Sequence, residues 1–348
     1  MKTALLILAL QLVLSGAAVC AGPNPPYPRS DTITGIEFHE DTLVRKAPGS
    51  DIWSCTWAAN GQLYAAWGDG GGFDGTDSQG RVSIGVATIT GQPPDWKGVN
   101  VWGGYEPLSK QEATLGKGTI IAANGALYLF VSEQARWDRC RLWKSTDNGL
   151  TWQDRDWIFP LSHKIFAFPG LVQFGQDNRL SPDGCVYGFS DNDPRRGQDG
   201  RLYLFRVRQE KIEDRDAYQY FSGTAEAPAW SRRIEERKPV FADPAGISWG
   251  TTCVYHPATG RYVLSVATHV EQGDWGLYES KHLWGPWKTV AYGDDLPQWT
   301  GSPAEKKRPA YLHTFPAPWI SPDGKTMWCV FDRGDHFNLA RCTLKIQP

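Results

Sequence analysis

The chain has 348 residues with 36 Lys and Arg against 38 Asp and Glu, so its formal net charge of −2 excludes a strongly basic nucleic-acid-binding protein. A hydrophobic content of 41% with 21% charged residues supports a folded core and excludes a disordered chain. The chain also contains 37 Gly, 24 Pro and 17 Trp, a composition that favours short strands joined by many turns over long helices.

The first 21 residues have the pattern of a secretory signal peptide. A positive charge near the start is followed by an apolar run from Ala4 to Leu14, and Val19-Cys20-Ala21 matches the small-residue cleavage rule. We therefore predict cleavage after Ala21 and a secreted or periplasmic protein; lipidation of Cys20 is the less favoured alternative. Residues 22–31 are predicted to form a Pro-rich leader, and residues 32–348 a single domain.

The six cysteines that follow the predicted cleavage point can form disulfides in an exported protein, and six cysteines allow 15 pairings. Cys329 and Cys342 are the best candidate pair because both fall in one predicted hairpin. Buried free thiols are the alternative. No C-x-x-C spacing occurs, so a zinc site is not predicted. The six are Cys55, Cys140, Cys185, Cys253, Cys329 and Cys342.

Five turn signals recur along the chain, each followed by an apolar or aromatic strand. Asn-Gly or Asp-Gly between apolar runs, which four of the five contain, is a strong hairpin signal. Successive turn glycines are 59 to 76 residues apart, enough for one four-stranded blade and its loops. The repeat therefore predicts an all-β fold, a five-bladed β-propeller. The turn glycines are Gly61, Gly125, Gly184, Gly260 and Gly324.

Two further segments agree with a propeller. Residues 145–152 read Ser-Thr-Asp-Asn-Gly-Leu-Thr-Trp, which matches the S-x-D-x-G-x-T-W Asp-box of sialidases. In such a box the Ser and Asp fix a tight turn between outer strands, away from the axis, so it indicates fold rather than chemistry. Residues 32–44 have β character and are predicted to pair with residues 337–346, which would close the ring.

Asp51 and Asp69 stand at equal distances on either side of the first predicted turn, at Asn60. In a regular hairpin they would face each other, with Cβ atoms about 4.5–5.5 Å apart. Carboxylates that close repel, so one holds its proton more tightly than the other, and glycoside hydrolysis needs such a pair. The glycines after Asp69 would leave room for a ligand. A structural or calcium-binding role for the two aspartates is the alternative.

A polar residue stands eight positions after each turn glycine. The five equivalent strands are predicted to end on the same side of the fold, so these five residues should lie near one another. The five are Asp69, Glu133, Asn192, Thr268 and Asp332. This pattern makes Glu133 and Asp332 candidate substrate-binding residues. His313, at the start of the predicted fifth inner strand, is a candidate sugar contact or proton donor, with a satisfied structural histidine as the alternative. Trp53 is a candidate to stack on a sugar face, while core packing is the expected role of most other Trp residues.

Several segments, in this order, resemble a family of exported bacterial proteins described only as a domain of unknown function. The resemblance spans roughly residues 35–345, and its segment at residues 174–177 adds Asp177 to the candidate substrate-binding residues. The segments are Gly49-Ser50-Asp51-Ile52-Trp53, Thr56-Trp57-Ala58, Tyr64, Gly68-Asp69-Gly70, Phe174-Gly175-Gln176-Asp177, Arg237-Lys238-Pro239-Val240-Phe241, Gly285-Pro286-Trp287 and Ser321-Pro322-Asp323-Gly324.

Some members of that family are endo-D-arabinanases, five-bladed propellers that cut arabinofuranose polymers. The resemblance implies that Asp51 and Asp69 perform the acid–base work of a glycoside hydrolase, with inversion at the sugar. This chain departs from the pattern at Gly70, where the enzymes tend to have Thr, and after Asp177, where Asn178-Arg179-Leu180 replaces a Tyr-Ala-Gly-like segment. These departures leave open another polysaccharide substrate, or none.

The sequence therefore predicts an exported glycoside hydrolase, with Asp51 as the base and Asp69 as the acid, or the reverse. A non-catalytic carbohydrate-binding propeller is the main alternative, and a structural propeller that binds a protein is the weaker one. The predicted partner is a polysaccharide or oligosaccharide, bound by a monomer; nucleic acid and a membrane span are not predicted. No cofactor or metal-ligand set is predicted, and calcium on the propeller axis is left open.

Overall fold

The structure is a computed structural model that describes residues 24–111, 116–132, 140–159, 166–190, 200–247, 250–268, 275–293 and 310–347. The predicted signal peptide and the first residues of the leader lie outside these ranges. The described chain is all-β, and its helical segments are short 3-10 turns. These include Gln176–Asn178, Gln209–Lys211, Arg215–Ala217, Ile234–Glu236 and Ala317–Trp319. In the ranges given, no helix combines the length and the apolar character that crossing a membrane requires.

Twenty-two strands make up the described fold. The first eleven are β1 (Ile33–Lys46), β2 (Asp51–Trp57), β3 (Leu63–Gly68), β4 (Ile84–Gln92), β5 (Asp95–Trp102), β6 (Gly118–Ala123), β7 (Ala126–Ser132), β8 (Cys140–Ser145), β9 (Gln153–Ile158), β10 (Gly170–Gln173) and β11 (Cys185–Ser190). The others are β12 (Arg201–Arg208), β13 (Gln219–Phe221), β14 (Trp230–Ser231), β15 (Pro239–Ala242), β16 (Thr251–His256), β17 (Arg261–Ala267), β18 (Trp275–Ser280), β19 (Lys288–Tyr292), β20 (Ala310–Thr314), β21 (Thr326–Arg333) and β22 (Phe337–Ile346).

Most neighbouring strands follow each other in sequence and pair antiparallel. One sheet has the order β2-β3-β4-β5 and a second the order β6-β7-β8-β9. A larger sheet runs β14-β13-β12-β11-β10-β16-β17-β18-β19, with β15 also pairing with β12. Within this larger sheet β10 and β16 pair in parallel, so two consecutive antiparallel units meet edge to edge there.

The fourth sheet joins the two ends of the described chain. Its order is β1-β22-β21-β20, and Ile33 pairs with Ile346. The sequence predicted this pairing from the β character of both segments. Because β1 comes early in the described chain and β20 to β22 come late in it, the sheet joins segments that are far apart in sequence.

The predicted turns lie between the first two strands of each unit. Ala123 pairs with Ala126, which leaves Asn124 and Gly125 as a two-residue turn in which both residues have positive φ, 52° and 73°. Asn-Gly suits this turn because both residues tolerate the left-handed region. The strands on either side bury their apolar side chains in clusters that lie between successive sheets.

The first strands of the units surround a narrow central cavity of about 20 Å³, which has room for about one water molecule. Ser54 of β2, Thr119 of β6, Gln173 of β10, Thr252 of β16 and Thr314 of β20 all line it. The five strands therefore run around one axis. The end of this axis at which β2 begins carries the candidate site.

The turn between β8 and β9 is held by its own side chains. Ser145 Oγ donates to Asp147 Oδ1 at 2.8 Å and accepts from the Gly149 backbone N–H at 2.9 Å. Asp147 also accepts from the Thr151 backbone N–H and hydroxyl, at 2.9 Å and 2.6 Å. Trp152 Nε1 donates to the Gly149 carbonyl at 3.0 Å. These bonds fix the turn, and Trp152 packs beside it against Trp102 and a buried apolar cluster.

The predicted Cys329–Cys342 disulfide is wrong, because all six described cysteines are buried free thiols. In the β21–β22 ladder Cys329 stands opposite Ala340, and Cys342 stands opposite Met327. The two cysteines are therefore diagonal neighbours, whose backbones are about 7–8 Å apart. That separation exceeds the reach of a disulfide, about 7 Å between Cα atoms.

Candidate active site

Asp51 begins β2, and a bulge directly after it sets the direction of its side chain. Asp51 pairs with Gly68, while the next pair along the ladder is Ser54 with Ala66, so two residues on β2 face one on β3. Ile52, inside the bulge, has a φ of 56°, an uncommon conformation for a β-branched residue. The predicted direct pairing of Asp51 with Asp69 is therefore wrong by one position, because equal spacing about a turn assumes a regular ladder.

Asp69 follows β3 and starts a glycine-rich loop. Its φ of 53° turns the chain away from the strand. The next three residues are Gly70, Gly71 and Gly72. A Cβ added to Gly70 would meet the Gly49 carbonyl oxygen at 2.4 Å, and one added to Gly72 would meet the Trp67 ring at 2.5 Å. The protein itself thus occupies the space beside these glycines, and the expectation that they leave room for a ligand is wrong.

Lys117 brings Asp51 and Asp69 together. It precedes β6, and its Nζ lies 2.5 Å from Asp51 Oδ2 and 3.1 Å from Asp69 Oδ2. These two oxygens are therefore at most about 5.6 Å apart. Arg81 adds a second cation to Asp69, with Nη2 at 3.3 Å from Oδ2. The side chains of Lys117 and Asp51 are only 15% and 17% exposed, whereas Asp69 is 29% exposed, so the pair lies at the edge of solvent.

Gly68 makes this arrangement sterically possible. A Cβ on Gly68 would lie 2.6 Å from Asp51 Oδ1 and 2.9 Å from Lys117 Cδ, both closer than real Cβ contacts allow. The missing side chain leaves a groove in which the Lys117 stem crosses β3 to reach the carboxyl of Asp51. Glycine at the end of β3 is thus required by close packing.

Asp332 and Asp335 complete an acidic cluster with Asp51 and Asp69. Asp332, on β21, is 1% exposed, and its Oδ2 accepts from the Ile52 backbone N–H at 3.3 Å, while its Oδ1 has no hydrogen-bond partner among the described residues. Carboxylate oxygens of Asp51, Asp332 and Asp335 lie within 4.8 Å of one another, a spacing that a cation could bridge. Lys117 already supplies a positive charge to Asp51.

Burial is the main cause of the altered acidity in this cluster. It raises the pKa of Asp51 to about 7; Lys117 opposes the rise, and the charges of Asp69 and Asp335 add to it. Burial, with the nearby Asp51 and Asp335, also raises the pKa of Asp332 well above its ordinary value. The Lys117 ion pair alone favours an ionised Asp51, but desolvation and the two neighbouring carboxyls outweigh one ammonium. Asp51 therefore exchanges a proton near neutral pH.

Trp53 and His313 lie in the core. Trp53 is fully buried, and its ring contacts Trp67, Phe73 and Phe337 with centroid separations of 5.1–5.3 Å. His313 is also fully buried and stacks on Trp275 with centroids 3.6 Å apart, and burial lowers its pKa to about 3. Neither side chain can reach a sugar in this arrangement, so the stacking role and the sugar-contact or proton-donor role do not fit.

Asp177 lies at the other end of the axis. Both of its carboxylate oxygens accept from the Gly125 backbone N–H at 3.1 Å, and the neighbouring Gln176 bonds to the Ala58 carbonyl just after β2. A strand of seven residues separates this position from Asp51, about 20 Å. The substrate-binding role predicted for Asp177 is therefore wrong for this site, because its carboxylate fixes a turn instead. Glu133 lies outside the described residues.

Sequence reasoning missed Lys117 and Arg81, the two cations of the site. Lys117 lies in Gly116-Lys117-Gly118, a segment that lacks the Ser or Thr of a nucleotide-binding loop and so carries no motif. Its position directly before β6, the strand that lies beside β2, was the available signal. Arg81 lies in the loop between β3 and β4, with no pattern to distinguish it from other surface arginines.

The comparisons with known proteins agree with the fold. The model of the family described as "Domain of unknown function (DUF4185)" matches residues 51–330. A structure described as a "putative hydrolase" from Bacteroides ovatus ATCC 8483 is 11% identical, over 84% of this chain and 85% of that one, with a TM-score of 0.52. A "putative exo-beta-1,3-galactanase" from Bifidobacterium bifidum s17 is 11% identical, over 88% and 97%, also with a TM-score of 0.52.

A third structure, a GH43_1 enzyme from Xanthomonas citri, is 10% identical over 87% of this chain and 91% of that one, with a TM-score of 0.50. At these identities the likeness shows a shared all-β, propeller-type fold and carries no activity over to this chain. Among curated proteins, none matches the sequence.

Proposed function

Because this chain belongs to the family described as "Domain of unknown function (DUF4185)", a description that assigns no activity, we propose a function from the site itself. The chain is an exported glycoside hydrolase that cuts a polysaccharide, with Asp51 and Asp69 as its catalytic pair. Arabinofuranosyl linkages are the first to test, since the sequence resembles endo-D-arabinanases. Export is inferred from residues 1–21, which lie outside the described ranges.

The fold belongs to the same proposal: residues 32–348 form one domain, a five-bladed propeller. The support is that five first strands line one axial cavity, and that the parallel contact between β10 and β16 divides the largest sheet into two units. We also interpret residues 145–152 as an Asp-box, because Ser145 and Asp147 hold the turn in the way that the motif requires.

The single observation that carries the proposed chemistry is the different setting of two adjacent carboxyls. Burial raises the pKa of Asp51 to about 7, so this group holds a proton that it can donate near neutral pH. Asp69 is more exposed and contacts two cations, Lys117 and Arg81, which favour a negative charge on it. We therefore assign Asp51 as the general acid and Asp69 as its ionised partner. Of the two assignments that the sequence left open, this is the one in which Asp69, not Asp51, is the base.

Hydrolysis at this pair would break one glycosidic bond and add one water. Asp51 would donate its proton to the leaving oxygen as the bond breaks, and Asp69 would attack the sugar carbon or activate a water. Retaining enzymes hold their carboxyls about 5–5.5 Å apart and inverting enzymes about 6.5–9.5 Å. The limit of about 5.6 Å between the Oδ2 atoms supports retention. The inversion implied by the resemblance would require Asp69 to leave Lys117 first.

The test is product release from a panel of polysaccharides that includes D-arabinan and plant L-arabinan. Wild type is compared with Asp51→Asn and Asp69→Asn, each verified as folded by circular dichroism. We expect new reducing ends from one polymer, with a loss of about 10²–10⁴-fold in each variant. Proton NMR of the first product then gives its anomeric form, and retention is expected. Wild-type activity that survives both substitutions would exclude the pair.

The alternative of sugar binding without catalysis has less support, since its predicted stacking residue, Trp53, is in the core. In the same panel it predicts that a polymer binds to wild type, that no reducing ends appear, and that Asp51→Asn binds equally well. That combination would replace the hydrolase proposal.

A further inference from the structure

We infer that Lys117 is the positioning residue of this site: one ammonium holds the Asp51 and Asp69 carboxyls together and sets the pH range in which they act. This inference rests on the proposed hydrolase function. No sequence pattern indicated this role for Lys117. In this role Lys117 does not itself react with the sugar.

Lys117 is held in place both by its backbone and by the end of its side chain. Its backbone carbonyl accepts from the Ser132 N–H at 2.7 Å, which ties it to the hairpin of β6 and β7. Its stem crosses Gly68, and its Nζ contacts Asp51 and Asp69, both of which belong to the neighbouring β2–β3 hairpin. Lys117 therefore links two adjacent sheets at the point where the catalytic pair lies.

The charges around Lys117 come from several elements. Asp51 begins β2, Asp69 follows β3, Asp332 lies on β21 and Asp335 lies in the turn after it; Arg81, before β4, is the second cation near Asp69. The charges of Asp69 and Asp335 raise the pKa of Asp51, whereas the ammonium lowers it. The neighbouring carboxylates also raise the pKa of Lys117 itself, against the effect of its burial, so it keeps its charge.

A purely structural ion pair would give a different outcome. Exchanging the part-buried ammonium for an apolar group leaves the carboxyls of Asp51 and Asp69 without this counter-charge, so it lowers stability whether or not Lys117 positions the pair. If Lys117 positions the pair, the same exchange must change the pH dependence of catalysis. Without the ammonium Asp51 holds its proton to higher pH, so the limb of the pH–rate profile that Asp51 controls moves in the alkaline direction.

The test compares wild type, Lys117→Met and Lys144→Met as a matched control. Lys144 is also a part-buried lysine, 24% exposed and 2.5 Å from Glu213, but it lies on β8 outside the acidic cluster. We expect Lys117→Met to fold and to lose at least 10-fold in kcat with a smaller change in KM. Its pH optimum should rise by about 1–3 units, the shift that an opposite charge at this distance produces. Lys144→Met should keep the wild-type profile.

Two further measurements separate the inference from the hydrolase proposal. Side-chain carboxyl ¹³C NMR titrations of Asp51 need no substrate, and the pKa of Asp51 should rise in Lys117→Met even if no polymer is cut. Lys117→Ala should regain part of its activity when propylammonium is added, because the cavity left by the stem admits a small amine. Unchanged titrations in Lys117→Met would overturn the inference, as would an unshifted pH profile in an active variant.

Discussion

The raised pKa of Asp51 has a consequence for stability that can be measured without a substrate. An unfolded Asp has a pKa of about 3.9, while burial raises that of Asp51 in the folded protein to about 7. Between these values the folded state keeps a proton that the unfolded state has released. The free energy of unfolding contributed by this group is therefore highest below pH 4 and falls as pH rises toward 7.

The size of the effect follows from the same difference. Each pH unit in this window removes about 1.4 kcal/mol, so the full interval removes up to about 4 kcal/mol of unfolding free energy. Asp51→Asn cannot titrate and lacks this loss. The substitution also changes the contact with Lys117, but that change adds a nearly constant offset. The informative quantity is the difference in unfolding free energy between Asp51→Asn and wild type, and in particular how steeply that difference changes with pH.

The assay is urea unfolding followed by tryptophan fluorescence at pH 4.5, 5.5, 6.5 and 7.5. The stability of Asp51→Asn relative to wild type should increase steadily across this series. Asp147→Asn is the control: although partial burial works against it, hydrogen bonds from Thr151 and Ser145 lower the pKa of Asp147, so its titration lies below the window. A difference between Asp51→Asn and wild type that stays constant from pH 4.5 to 7.5 would show that Asp51 is ionised throughout, and the acid role would fail.

Three other outcomes follow from the packing. Gly68→Ala places a methyl group 2.6 Å from Asp51 Oδ1. It should therefore reduce polysaccharide hydrolysis at least 10-fold, with less than about 3 kcal/mol lost from the free energy of unfolding in urea. Wild-type activity in this variant would refute the requirement for glycine at position 68. Asp147→Ala removes the acceptor of three hydrogen bonds and should cost about 1–3 kcal/mol in the same assay while kcat stays unchanged. Denatured, unreduced protein that begins at residue 22 should give six titratable thiols, and a reducing agent should leave its Tm unchanged.

The parts of the fold that depend on local pattern were predictable from the sequence. Asn124-Gly125 indicated a two-residue turn and forms one, because its conformation is set by the two residues themselves. The pairing of β1 with β22 was also predicted, since both segments have the composition of strands. Turn chemistry and strand composition are local properties, so no knowledge of distant residues was needed.

The candidate site was only partly predictable, because it depends on contacts between strands far apart in sequence. Asp51 and Asp69 do lie together, but the bulge at Ile52 changes their register, and Lys117 joins them from another sheet. A single sequence does not show which lysine faces which carboxyl. A structural role for His313 was considered from the sequence, but its stacking partner was not, since Trp275 lies on a strand of another sheet.

The central claim, that Asp51 is the acid and Asp69 its ionised partner, is tested most directly with dinitrophenyl glycosides of the sugar that the polysaccharide panel identifies. Such a leaving group departs without a proton, so Asp51→Asn should hydrolyse it at a rate within about 10-fold of wild type, although it has lost at least 100-fold on the polymer. Asp69→Asn should be inactive on both substrates. The opposite pattern, in which Asp69→Asn is active on the dinitrophenyl glycoside and Asp51→Asn is not, would contradict the assignment.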